Sequence, residues 1–186
     1  VLHSLSFVED PTRVLRAIRF EQRFDFHLSR HTHNLIKSAV NMKLFHKLTG
    51  ERIFAELILL FSEAEPLKAL RRMKDLELMK FIHPNLKASA EAESLFVAIG
   101  EALTWFRLLY LDLKVEKWFV YFLGLLDRLK DPAAEETLAR LAVPTRTRER
   151  IRQARSRYRD VLFVFYKEPN LSSSRVYDLL RTRDFE

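Results

Sequence analysis

No cysteine occurs in the 186 residues. This excludes a disulfide framework, a thiolate metal site and a cysteine nucleophile, and it is compatible with a reducing compartment. Glycine is nearly absent at three residues, and proline is limited to six. So few glycines cannot build a glycine-rich phosphate loop, nor the turns that many short strands require. Long apolar runs are also lacking. The longest uncharged stretch in the apolar middle, "WFVYFLGLL" at 118–126, is well short of the roughly 20 residues that span a bilayer, so no membrane helix is expected. The first residue is Val and no basic-then-apolar leader opens the chain, which reads as a fragment.

What is present is a core-forming composition: 48% hydrophobic and 12% aromatic residues exclude a disordered chain. Formal charge is +7, a balance that suits a polyanionic partner. Its distribution is uneven. Between Thr145 and Arg159 seven arginines (Arg146, Arg148, Arg150, Arg152, Arg155, Arg157 and Arg159) face a single acid, Glu149.

Helix signals recur along the chain. Asp10–Pro11 opens a first helix running to about Phe24, and Ser29 caps a second running to about Asn41 with Leu35, Ile36, Ala39 and Val40 as its stripe. "TGERIFAELILLF" (49–61) places Ile53, Leu57 and Leu60 or Phe61 at helical spacing, and Pro66 starts a fourth helix rimmed by Lys68, Arg71 and Arg72. "SAEAESLFVAIGEALTWFRLLYL" (89–111) predicts a long buried helix. Val115, Trp118, Phe119, Phe122, Leu123 and Leu126 follow the three-and-four rule, so the next aromatic run is a helix despite its β-favouring residues. Asp131–Pro132 opens another, which Pro144 ends. Residues 145 to about 160 predict a basic helix with Ile151, Ala154, Tyr158 and Val161 on its apolar side, which "VLFVFY" (161–166) continues unless it forms a short strand. Pro169 breaks it, and "LSSSRVYDLLR" supplies a last helix. The expected class is all-α. A change from basic to aromatic-rich composition at His83–Pro84 divides the chain into 1–83 and 84–186.

No metal site is expected. His27, His31 and His33 lie close in sequence, but the last two fall on different faces of a helix and no acid sits within a turn of them. Glu63 with Glu65, and Glu91 with Glu93, are spaced by two, which places two carboxylates on one side of a strand but not of a helix. Both pairs read as acids at helix starts, favoured by the dipole. No complete active site, and no catalytic residue, is present.

The opening "SFVEDPTRVLRAIRFEQRF" (6–24) asks for more than capping. Asp10, Arg13 and Arg16 follow one side of a helix at its N-terminus, where backbone N–H groups also suit phosphate. "FVEDPTRVLRAIRF" resembles the segment after the catalytic head in bacterial-type (class II) tRNA nucleotidyltransferases and the related poly(A) polymerases. It carries their EDxxR motif as Glu9, Asp10 and Arg13, with LRxxRF following as Leu15, Arg16, Arg19 and Phe20. "GERIFAEL" (50–57) is similar to the family's ERIxxEL helix. The likeness covers residues 1–83 best; the remainder matches in being helical and basic near its end.

The resemblance implies the neck, body and start of the tail of such an enzyme, with Asp10 and Arg13 as an amino-acid template for the incoming base. An ionised Asp only accepts and an Arg only donates, which matches the amino group and ring nitrogen of adenine or cytosine and opposes guanine and uracil. Glu9 and Arg16 would support that geometry. The family's glycine-serine loop, magnesium-binding DxD and ribose-reading RRD are absent here, so a catalytic head is expected upstream of Val1 and the isolated chain is expected to be inactive. The full-length enzyme would use Mg2+ with ATP or CTP. Arg148, Arg152, Arg155 and Arg159, extended by Arg71 and Arg72, would hold a tRNA or other RNA 3′ end in the cytoplasm, through phosphates and shape. The alternatives are a poly(A) polymerase of the same family, a noncatalytic helical RNA-binding module, and a scaffold using the aromatic-rich half as an interface.

Overall fold

A computed structural model describes residues 6–42, 48–110, 114–168 and 170–180. The described residues form eleven helices and no strand: α1 (Ser6–Glu9), α2 (Thr12–Arg23), α3 (Arg30–Asn41), α4 (Gly50–Ser62), α5 (Pro66–Asp75), α6 (Met79–Ile82), α7 (Ala90–Leu108), α8 (Lys117–Leu126), α9 (Asp131–Arg140), α10 (Thr145–Lys167) and α11 (Ser173–Leu180). The all-α class is as the sequence predicts. "VLFVFY" lies wholly within α10, and the aromatic run is the helix α8. Pro169, read as a breaker, lies outside the described residues.

The chain divides into two compact units, Val1–Val143 and Pro144–Glu186. Within the first, α4 is central and packs against α2, α5 and α8, while α7 packs on α5 and α8. Ile53, Leu57, Leu60 and Phe61 of α4 are buried as their spacing requires, each contributing about 1.5–3 kcal/mol relative to exposure. Phe61 meets Phe96 edge-on at 5.8 Å, and Phe54 meets Phe122 at 5.4 Å. The aromatics of 84–143 thus complete the core begun by α4. The compositional change at His83–Pro84 falls inside this unit, since helices before and after it share that core.

α7 corrects the expectation of a long buried helix. Only Ala92 and Phe96 are buried, and Trp105 is 62% exposed. Its apolar residues are spread around the helix rather than gathered in one stripe, so a single face cannot bury them all.

Scarcity of glycine leaves its mark at helix ends. Asp25, Glu77 and Ala142 adopt left-handed φ of 51°, 55° and 49°, where glycine is usual. Each ends its helix in a Schellman closure: Phe26, Leu78 and Val143 donate their N–H to the carbonyls of Glu21, Met73 and Leu138. One glycine has a separate reason. A Cβ on Gly50 would lie 1.9 Å from the Arg140 carbonyl oxygen, so the start of α4 can abut the end of α9 only without a side chain.

Candidate nucleotide and RNA site

The start of α2 is built from three elements. Asp10 precedes the helix, and its Oδ1 accepts from the Thr12 backbone N–H at 3.2 Å, which satisfies one of the unpaired donors of the first turn. The same Oδ1 accepts from Thr12 Oγ1 at 2.5 Å and from Arg52 Nη2, on α4, at 2.8 Å. Asp10 Oδ2 lies 4.0 Å from Arg13 Nε. Arg13 is oriented from α1, donating through Nη1 to Ser6 Oγ at 2.6 Å and to the Ser6 carbonyl at 3.3 Å, and sits 3.9 Å from Glu9. Burial pushes the Asp10 carboxyl up, but the Thr12 hydrogen bonds and the charges of Arg52 and Arg13 outweigh it and hold it below its usual value. Asp10 is therefore an ionised acceptor at neutral pH.

Behind this pair runs a ladder of opposite charges. Glu56 on α4 lies 4.0 Å from Arg16 and 3.7 Å from Arg19, and Arg19 and Arg23 both reach Glu63 within 4.0 Å. Burial raises the Glu56 carboxyl more than Arg19 and Arg16 lower it. Glu63 terminates α4 rather than opening a helix, correcting its reading as an acid at a helix start. Lys117 of α8 donates to the carbonyls of Glu63 and Ala64, tying down that terminus. Burial lowers the Lys117 amine, and the charge of Arg107 adds to this.

Both sequence motifs thus meet in space, EDxxR on α2 with ERIxxEL on α4. Arg13 lies within 4.0 Å of both Asp10 and Glu9 at the start of α2, while Arg16 reaches Glu56 further along the helix. Arg52, Glu56, Thr12 and Ser6 were not singled out. The signal for the first two was present, because Glu51–Arg52–Ile53 and Glu56–Leu57 are the motif itself, but sequence spacing does not say which partner a motif residue takes.

The arginines assigned to RNA occupy different situations. Arg72 makes a two-point contact to Glu21, at 2.8 and 3.3 Å, and Arg71 donates to Glu93 at 2.7 Å, beside Lys74 at 3.2 Å. These two link α5 to α2 and to α7. On α10, Arg148, Arg152, Arg155 and Arg159 recur at spacings of four, three and four and so share one stripe. Arg152 and Arg159 are exposed, Arg148 is half-buried and Arg155 is buried at 9% exposure. Arg152 lies 3.4 Å from Glu149. Among the described residues, no group of three or more His, Asp or Glu is placed to hold a metal ion, and no helix is long and apolar enough to cross a membrane.

The EDxxR helix start and the ERIxxEL helix that buttresses it thus bring into one helical unit the two motifs that resemble those of tRNA nucleotidyltransferases. Comparison with known proteins agrees. Residues 25–89 match the family described as the probable RNA and SrmB-binding site of polymerase A. The chain is 49% identical over 168 residues to an A-adding tRNA nucleotidyltransferase of Geobacter sulfurreducens, covering 90% of this chain and 19% of that protein. It is 30% identical over 149 residues to the A-adding enzyme of Aquifex aeolicus, covering 80% of this chain and 18% of that one. In structure it resembles the Thermotoga maritima CCA-adding enzyme complexed with tRNA, with a TM-score of 0.79 and 30% identity over 99% of this chain and 44% of that one. The chain belongs to the bacterial-type tRNA nucleotidyltransferase and poly(A) polymerase family. It spans less than a fifth of the length of these two A-adding relatives.

Proposed function

We propose that this chain is the nucleotide-selecting and RNA-holding part of an enzyme that adds A, or C and A, to tRNA 3′ ends. The observation that carries the reading is the division of labour within the Asp10 carboxylate. Oδ1 is taken by Thr12 and Arg52, so Oδ2 is left toward the Arg13 guanidinium as the acceptor for a base. An acceptor beside a donor complements the amino group and ring nitrogen of adenine or cytosine, and opposes the carbonyl and ring N–H of guanine or uracil. Glu9 and Arg16 flank the pair and hold Arg13 and α2 in register. ATP and CTP are the substrates this edge admits. Magnesium chemistry is assigned to none of these residues.

RNA is held by the exposed Arg152 and Arg159 of the α10 stripe; the half-buried Arg148 contributes less, and the buried Arg155, expected from the sequence to touch RNA, adds field alone. Arg71 and Arg72 contribute field rather than direct contact, because their guanidiniums are engaged by Glu93 and Glu21. The enzyme is cytoplasmic, where tRNA is processed. The test is nucleotide choice in the enzyme carrying this chain with its catalytic head. Arg13→Ala is expected to lower the preference for ATP over GTP about 5- to 150-fold, the range of one bidentate base contact, while tRNA affinity is kept. Unchanged nucleotide choice would overturn the reading.

A further inference from the structure

Beyond Arg13 and Arg16, the exposed side of α2 becomes aromatic. Arg13, Arg16, Phe20 and Phe24 fall at successive steps of three, four and four, a single stripe on a helix, and Phe24 lies about 16 Å along the axis from Arg13. Phe20 meets Phe24 at 5.9 Å between ring centroids, and Phe24 meets Phe26 at 5.4 Å. The left-handed turn at Asp25 brings Phe26 back beside Phe24. All three rings are exposed, Phe24 by 52% and Phe26 by 64%. Cations border them: the Arg19 guanidinium lies 4.8 Å from the Phe20 centroid and that of Arg23 5.7 Å from Phe24.

We propose that Phe20, Phe24 and Phe26 form a stacking platform for unpaired RNA nucleobases, continuous with the Asp10–Arg13 pair along one face of α2. The proposal rests on the RNA-holding reading above. Exposed aromatic rings bordered by arginine are the chemistry that binds single strands without reading sequence: the rings take the base faces, and Arg16 and Arg23, the exposed cations of the ladder, face the phosphates, while Arg19 is held by Glu56 and Glu63. A duplex offers no free base faces, so the rings suit an unpaired strand. The platform would guide the unpaired end of the acceptor toward the base-reading pair.

The test uses the chain with a fluorescent single-stranded RNA about eight nucleotides long, the same RNA made abasic at its centre, and a blunt duplex. Phe24→Leu with Phe26→Leu keeps apolar bulk and charge but removes the rings. It is expected to weaken the single strand about tenfold or more, leave the slope of affinity against salt unchanged, and leave the duplex unaffected. Phe24→Trp retains a stacking face and is expected to bind as the parent does, which separates stacking from misfolding. Equal affinity of the parent and the leucine variant for the single strand would overturn the platform alone. An equal loss on intact and abasic RNA would do the same. Failure of the parent to bind any RNA would overturn the RNA-holding reading as well.

Discussion

Arg52 Nη2 lies 2.8 Å from Asp10 Oδ1, joining residues 42 positions apart and fixing the carboxylate that precedes α2 to the first turn of α4. Three donors converge on this one oxygen, two from Thr12 and one from Arg52. Removing Arg52 leaves Oδ1 held by Thr12 alone, which loosens the carboxylate and weakens the distinction between the two oxygens. Arg52→Ala is expected to reduce ATP-over-GTP selection by about 5- to 10-fold, through loss of one charge-assisted hydrogen bond, with tRNA affinity retained. Competition between the two nucleotides in the enzyme with its head checks this.

The lowered carboxyl of Asp10 has a consequence for stability. A group whose pKa is lower in the folded than in the unfolded chain stabilises above its unfolded value, and that contribution disappears as pH falls through the folded value. Chemical denaturation of the parent and of Asp10→Ala is therefore expected to show a constant difference from pH 7 down to about 4, the ordinary range of an aspartate. The two should converge at more acid pH. A difference that grew with acid would contradict the assigned direction.

Gly50→Ala is expected to be strongly destabilising, by about 2 kcal/mol or more, because the new methyl would overlap the backbone of Arg140 and Leu141 rather than a movable side chain. Thermal denaturation followed by circular dichroism measures it. Ala at the adjacent exposed Glu51 should have little effect.

Glu77→Gly is expected to do the reverse. Glu77 is held at a φ of 55° between Leu76 and Leu78, a conformation that costs a non-glycine residue roughly 1–2 kcal/mol. Glycine relieves that strain, less what its own unfolded-state entropy costs, for a net gain of about 0.5 kcal/mol. A small rise in melting temperature is the expected reading.

The arginines of α5 and α10 should separate by assay. Arg72→Ala leaves Glu21 without its two-point partner and is expected to lower stability. Charge reversal at the exposed Arg152 and Arg159 is expected to weaken tRNA binding and flatten its salt dependence with stability nearly kept. Equal effects of both sets on tRNA affinity would refute the separation.

The helices were legible because their signals are local. Ser29 accepts from the Thr32 N–H as a cap should, and α4 buries the positions its period marks. α1 and α6 were missed, since four residues each are too short to show a period. The exposure of α7 was also missed, because hydrophobic content does not reveal which side finds a neighbour. At the site, residues on one turn of α2 could be grouped from spacing. The pairing of Asp10 with Arg52 and of Glu56 with Arg16 and Arg19 could not, because it depends on how α2 crosses α4.

The most direct measurement replaces Asp10 by Asn. In this site the Asn oxygen would face Thr12 and Arg52, leaving its amide donors where Oδ2 stood, toward a base carbonyl instead of a base amino group. Relative kcat/KM for ATP, CTP, GTP and UTP, measured on tRNA in the enzyme with its head, is expected to show ATP-over-GTP preference falling at least about tenfold, with tRNA affinity unchanged. Undiminished discrimination against GTP in Asp10→Asn would contradict the claim that this carboxylate chooses the base.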